Sequence, residues 1–122
     1  MQLTEDSHDG RYHLSQFDEN GFTINKTHYD KSLVLGRDIL IDTLLPSTPG
    51  ELSQSHTHAI LEHQPQIVII GTGSEAVRLS PDILMPLYQH HIGVEVMTTP
   101  AACRTMSVLL AENRDVIALL FR

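Results

Sequence analysis

The sequence predicts a single α/β domain, with a β-rich N-terminal half followed by a parallel strand–helix–strand–helix–strand half. Up to about residue 46, short apolar runs are separated by turn residues, which is typical of strands. Beyond that residue, apolar runs alternate with helical patterns, which favours a parallel sheet. With 122 residues, 41% of them hydrophobic and 19% charged, the chain can form one core and does not have a disordered composition. We expect residues 1–20 to be an N-terminal segment, disordered in part, and residues 21–122 to be the domain.

Four strands are predicted in the first half. Residues 12–17 and 22–25 flank a turn of sequence Asp-Glu-Asn-Gly, whose Asn-Gly pair is a strong hairpin signal. The apolar run 32–35 stops at Gly36, and residues 39–41 form another apolar run. These patterns indicate a hairpin and two further strands.

The second half begins with a predicted helix over residues 51–63, after a Pro-Gly pair. Residues 66–70 form an apolar run with the composition of a buried strand, which ends at the glycine loop 71–73. The next helix is predicted to start at Ser80 and run to about His90, since Ser is a good cap and proline follows it.

Pro86 lies deep in this second helix, so we expect a kink or a distorted first turn there. A strand over residues 93–97 follows, and Thr99 with its following proline repeats the helix-start pattern. Asn113 is a suitable left-handed end for the third helix. The last strand is predicted over residues 115–121, and the parallel crossovers should be right-handed.

Charge and apolar patterning exclude some functions. The net charge is −7, and the eight Lys and Arg residues are dispersed, whereas binding to nucleic acids or anionic membranes needs grouped basic residues. No apolar run approaches the roughly 20 residues of a membrane-spanning helix, so no membrane insertion is expected. A lone Cys103 cannot form an intramolecular disulfide, and the N-terminus lacks the pattern of a signal or transit peptide. We therefore expect a cytoplasmic protein, most simply a bacterial one.

The second half carries a family resemblance in the order of three motifs. Ile-Val-Ile-Ile-Gly-Thr-Gly at 67–73, Gly-Val-Glu-Val at 93–96 and Thr-Pro-Ala-Ala-Cys at 99–103 together resemble a domain-of-unknown-function family with an Mth-type fold. That family includes the mitochondrial NADH dehydrogenase (complex I) assembly factor three and the adipogenesis-associated protein of the same domain type. Residues 21–25 are similar to the family's first hairpin, so the likeness covers about residues 21–121.

The resemblance implies a three-layer fold, in which a mixed central sheet is flanked by helices and an additional β layer. It also implies an accessory or assembly role without an established enzymatic activity. The sequence departs from the family where relatives commonly have an aromatic residue followed by Asn and this chain has Met106-Ser107. Asn113 and His91 stand where relatives often have glycine, and both residues tolerate the left-handed backbone that such positions need.

The glycine loop offers one candidate site. Gly71 to Ala76 fits a dinucleotide-binding pattern, but the helix after it starts too late to present its N-terminus to a pyrophosphate. Two other interpretations remain. The glycines provide the backbone angles of a strand-to-loop transition, or their N–H groups together with Arg78 hold an anion or a partner's carboxylate.

Glu95 and Cys103 are the other residues with potential chemistry. Glu95 lies in a Val-rich strand that helices should cover, and a buried charge needs a partner, which Arg104 or Arg78 could supply. Either Glu95 is a polar group at the mouth of a pocket near the carboxyl ends of the parallel strands, or it is an ion-paired or outward-facing residue on a twisted strand. A helix start favours the thiolate of Cys103, but no base is placed beside it, which favours a small core residue.

The eight histidines do not predict a metal site. On the predicted first helix, His56 and His58 point about 160° apart, and His56 and His63 are two turns apart. His90 and His91 end a helix, where a protonated imidazole suits the dipole. We expect capping, packing or surface roles, and neither a bound metal nor a cofactor.

Two functions are consistent with the sequence. The first is a non-enzymatic accessory protein that acts through contacts with a protein partner. The second is a small anionic ligand-binding domain or enzyme. Its candidate residues, which could equally contact a partner, lie in the glycine loop and around the third helix start: Gly71, Thr72, Gly73, Arg78, Glu95, Thr98, Thr99 and Arg104.

Overall fold

The computed structural model describes residues 11–122, which form two β-sheets and three α-helices. The strands are β1 (Leu14–Asp18), β2 (Gly21–Ile24), β3 (Thr27–Tyr29), β4 (Leu33–Gly36), β5 (Leu40–Ile41), β6 (Ile67–Gly71), β7 (Gly93–Met97) and β8 (Val116–Leu120). The helices are α1 (Gln54–Leu61), α2 (Pro81–Gln89) and α3 (Thr99–Ala111). The N-terminal segment expected over residues 1–20 includes residues 1–10, which lie outside the described residues.

The central sheet is mixed and has the strand order β5-β4-β8-β6-β7. Strands β6, β7 and β8 are parallel, while β4 runs antiparallel to β8 and to β5. This arrangement confirms the predicted parallel second half and the mixed sheet. The N-terminal strands β1, β2 and β3 form a separate antiparallel sheet.

Alternating side chains of the central sheet form two cores, one on each face. On one face, Ile117 and Leu119 of β8 pack with residues of α1 and α2 such as Ile60 and Leu87. On the other face, alternate residues of β8 pack with Met106 of α3 and Phe22 of the small sheet. The sheet is therefore covered by two helices on one side and by α3 with a β layer on the other, which confirms the three-layer fold.

One predicted helix needs correction, and one strand was not predicted. The helix predicted over residues 51–63 is instead a short 3₁₀ turn, Pro49–Glu51, followed by α1 from Gln54 to Leu61. Ser53 separates them because it is extended (φ −137°, ψ 173°), which is the conformation of a helix cap. Strand β3, which pairs with β2, was not predicted because its three residues are too short for a periodic signal.

The helix ends follow the predicted backbone pattern. His91, after α2, has φ 60°, and Asn113, after α3, has φ 64°. In each case a later N–H turns back to a carbonyl of the last turn: Ile92 donates to Leu87 and Arg114 donates to Leu109. The left-handed residues thereby satisfy carbonyls that a helix end leaves open.

Pro86 shapes the contact between α1 and α2. It has no N–H to donate to the Asp82 carbonyl four residues earlier. The Gln54 side chain of α1 donates to that carbonyl at 2.7 Å, and the buried Thr57 hydroxyl donates to the next carbonyl, of Ile83, at 2.9 Å. Polar side chains of α1 thus bond the carbonyl that Pro86 leaves without its helical donor and the carbonyl after it.

The substitution Thr57→Val tests this contact. It should lower the free energy of unfolding by about 1 kcal/mol, because a buried hydroxyl that bonds two carbonyls is lost at nearly constant volume. Urea denaturation measures the change. Gln54→Ala is the control. The exposed Asp82 carbonyl that Gln54 bonds can bond water instead, so the free energy of unfolding should fall by less than about 0.5 kcal/mol. A Thr57→Val protein as stable as the wild type would contradict the assignment.

Candidate functional site

The buried hydroxyl of Thr99 joins three elements at one point. It accepts a hydrogen bond from the Gly73 N–H at 2.8 Å and donates to the Phe121 carbonyl at 2.5 Å. The Thr99 N–H in turn donates to the Gly73 carbonyl at 2.8 Å. The loop after β6, the start of α3 and the residue after β8 therefore meet here, and we call this contact the Thr99 junction.

The glycines of the loop are required by this junction. A Cβ on Gly71 would lie 2.9 Å from Cα and Oγ1 of Thr99 and 3.0 Å from Cβ of Ala102, so only glycine lets α3 approach β6 this closely. Gly73 has φ +102°, where side chains are strained. These observations support the interpretation of the glycines as a strand-to-loop transition.

The loop N–H groups are already used within the fold. The Thr72 N–H donates to the Met97 carbonyl at 2.9 Å, and the Gly73 N–H is held by Thr99. The Thr72 hydroxyl donates to the Glu75 carbonyl at 2.7 Å and accepts from the Val77 N–H at 3.2 Å. The N–H groups of Thr72 and Gly73 are therefore not free to hold an anion.

The remaining predicted site residues are spread around the junction. Thr98 is the extended cap of α3, whereas Arg78 and Arg104 are exposed. Glu95 is exposed rather than covered by helices, because β7 is an edge strand. Among the described residues it forms no ion pair with either arginine, which supports the outward-facing alternative.

A cleft of about 370 Å³ opens beside the junction, between the first hairpin and the start of α3. Ser74, Pro100 and Phe17 are among its lining residues, together with Arg122. The Arg122 guanidinium donates to the carbonyls of Asp30 and Glu19 at 2.6 and 2.8 Å, and so ties the small sheet to the segment after β8. The arginine therefore serves first as a structural link.

Cys103 lies half-buried in α3, and burial raises the pKa of its thiol from 9.0 to about 11. The neighbouring Arg104 lowers this pKa, but by less than burial raises it. A raised pKa leaves the thiol protonated at neutral pH, which is the opposite of what a nucleophile needs. This supports the packing role for Cys103.

The outer edge of β7 is a feature that periodicity did not predict. The Gly93 N–H donates to Gln66 and the Met97 carbonyl accepts from Thr72, so the backbone groups of these residues face β6. Backbone groups alternate along a strand, so those of Val94 and Val96 point away from the sheet. No described residue bonds them. We call these open groups, with the Val96 side chain, the β7 edge.

Histidines in the described part of the chain act in local hydrogen bonds. His56 Nδ1 accepts from the Ser53 N–H at 3.0 Å, which caps α1, and a His90 ring nitrogen lies 2.9 Å from the Pro86 carbonyl. Within residues 11–122, no three His, Cys, Asp or Glu side chains are grouped as metal ligands would be. His8 lies outside the described residues.

The comparisons with known proteins agree with the fold. A family model described as "Protein of unknown function (DUF498/DUF598)" matches residues 14–121. The NADH dehydrogenase [ubiquinone] 1 alpha subcomplex assembly factor 3 of Mus musculus is 44% identical over 55 residues, which are 45% of this chain and 30% of that protein. The chain spans less than two thirds of the length of this relative.

Two bacterial proteins match nearly the whole chain. The "13 kDa major membrane protein" of Francisella tularensis is 25% identical over 117 residues, 95% of each chain. A solved structure from Xanthomonas campestris is 30% identical with a TM-score of 0.83, covering 99% of this chain and 92% of the other. In residues 11–122 no helix has both the length and the apolar character needed to cross a bilayer.

The substitution Gly71→Ala tests the Thr99 junction. The added methyl must displace Thr99 backbone and Ala102, and should lower the free energy of unfolding by about 1–3 kcal/mol. Gly50→Ala is a matched control, because a Cβ there meets nothing within 4 Å and the change should stay within about 0.5 kcal/mol. Chemical denaturation of both variants measures the difference, and equal stabilities would argue against the junction.

The reactivity of Cys103 tests its protonation state. A pKa of about 11 instead of 9.0 reduces the thiolate fraction at pH 7.5 by about 100-fold. Iodoacetamide should therefore alkylate the folded chain about 100-fold more slowly than the urea-unfolded chain, and the rate should still rise above pH 10. A rate that levels off below pH 9 would show a thiolate-favouring site instead.

Proposed function

This chain belongs to the family of proteins of unknown function DUF498/DUF598, and on that premise we propose that it is a non-enzymatic accessory domain that binds another protein at the β7 edge. The observation that carries the proposal is the open backbone of Val94 and Val96 on an ordered, five-residue edge strand. Unpaired N–H and C=O groups in a row are a template for an added strand.

Exposed apolar side chains surround the same strand. Val77, Met85, Tyr88 and Val96 are four of the large apolar residues in the described part of the chain that remain exposed. Val96 lies on β7, and Met85 and Tyr88 lie on α2, which packs against β7. Val77 lies in the loop after β6, where its N–H donates to the Thr72 hydroxyl. An incoming strand would cover apolar surface as well as pair backbone groups.

Charge indicates what the partner segment looks like. Glu95 is exposed on β7, between Val94 and Val96, and forms no ion pair among residues 11–122. In an added strand, a Lys or Arg opposite Glu95 would be favourable, with apolar residues on the side of Val96. We therefore propose an extended segment that alternates basic and apolar residues.

A second copy of the chain fits the β7 edge less well. Antiparallel self-pairing centred on β7 would place Glu95 opposite the same carboxylate of the other copy, and like charges directly opposite are destabilising. Two chains of net charge −7 also repel each other. The proposed partner is accordingly a different protein.

Relatives named as assembly factors support a role through protein contacts. The β7 edge lies directly before the Thr99 junction, because β7 ends at Met97 and α3 begins at Thr99. In this proposal, Gly71, Gly73, Thr98 and Thr99 fix the connection from β7 into α3, while Glu95 contacts the partner. We also propose a cytoplasmic location, since the single Cys103 makes folding independent of an oxidising compartment.

Photo-crosslinking tests the β7 edge directly. A photoreactive amino acid placed at Val96, in the chain expressed at native level, should capture one protein repeatedly, through a segment that contains Lys or Arg. The same amino acid at Val108, an equally apolar and more exposed position on α3, should not capture that protein. Crosslinks of equal yield from both positions, or none from Val96, would contradict the proposal.

The variant Val96→Pro should reduce recovery of that protein by at least about tenfold. It removes one outward N–H, and proline is tolerated on edge strands, so the fold should be kept. Val108→Lys is the control and should leave recovery unchanged. Urea denaturation checks that both variants fold. Undiminished recovery with a folded Val96→Pro chain would rule out strand addition.

A further inference from the structure

A second cleft lies on the α3 face of the domain, near the sheet edge opposite β7. It has a volume of about 290 Å³ and runs between residues 11–14, the end of β4 and the C-terminal half of α3. Leu35 and Met106 form a buried apolar floor, and Leu110 and Ala111 line it further. Within residues 11–122, neither Asp nor Glu lines the cleft.

Arg37 is held at this cleft by neutral partners. Its Nη1 donates to the Asn113 side-chain oxygen at 2.9 Å, and its Nη2 donates to the Leu110 carbonyl at 3.0 Å. These two bonds fix the guanidinium at the end of α3 and leave three of its five N–H donors without an acceptor among the described residues. No carboxylate in residues 11–122 neutralises the charge. Arg11 adds a second cation to the lining.

An apolar floor with a fixed guanidinium, and with no acidic residue from the described part of the chain, is complementary to an amphipathic anion. A planar guanidinium donates in parallel to the two oxygens of a carboxylate, which gives the geometry its selectivity. The volume is at the small end of ligand pockets, and at about 30 Å³ for each water-sized group it holds about ten non-hydrogen atoms.

We propose that this cleft binds a small aliphatic carboxylate, with the carboxylate on Arg37 and the hydrocarbon chain over Leu35, Met106 and Leu110. The site is separate from the β7 edge and does not depend on the proposed function.

Titration of the full chain with octanoate tests the site. Octanoate has ten non-hydrogen atoms, and it should bind saturably with a Kd of about 1 mM or tighter, followed by chemical-shift changes at Leu35, Met106 and Leu110. Octanol has a similar tail but no charge, and should bind at least about tenfold more weakly, since it lacks the charge-assisted bond. Equal affinity for both would overturn the proposal.

Two variants and one control locate the binding. Arg37→Gln removes the charge and should weaken octanoate binding by at least about tenfold. Ala111→Trp leaves Arg37 in place and fills the cleft from an exposed helix position, so it keeps the test valid if Arg37→Gln unfolds. Arg78→Gln, at an exposed position elsewhere, should have no effect. Undiminished binding by a folded Ala111→Trp chain, or no shift at 10 mM octanoate in the wild type, would overturn the proposal.

Discussion

The position of α3, and with it half of the core, depends on the hydrogen bonds of the Thr99 hydroxyl. This buried group accepts from the loop after β6 and donates to the residue after β8, so it holds the two central strands and the helix start together. Only a glycine at position 71 lets the helix come this close. From this anchor, Ala102 and Met106 are directed into the core shared with the small β-sheet.

The anchor also explains why the domain can present two separate surfaces. The Thr99 junction closes the carboxyl end of the parallel strands, where α/β domains often bind ligands, with bonds of its own. Two surfaces of the described residues remain open. One is the β7 edge, and the other is the cleft that Arg37 lines, near the opposite edge of the sheet. The first offers backbone groups and apolar side chains suited to a protein, and the second offers a fixed cation over an apolar floor. Each can act without the other.

Much of the fold could be predicted because buried strands and capped helices leave local signals. The apolar runs of β4, β6 and β8, the Asn-Gly turn and the proline-marked starts of α2 and α3 all fix their elements within one or two residues. The order of strands has no such local signal. Val94, Glu95 and Val96 have the same sequence pattern in a central and in an edge strand, so the exposure of Glu95 followed only from the tertiary arrangement. Likewise, the need for Gly71 lies in a contact with Thr99, 28 residues away, which the spacing of the glycines does not show.

The central claim is that β7 is an ordered strand whose outer backbone is open for a partner. Amide hydrogen exchange of the isolated chain tests it at single residues. The N–H groups of Val94 and Val96 should exchange much faster than those of Glu95 and Met97, which face β6 in the same strand. Equal protection of all four would show that the edge is already covered, and would contradict the account.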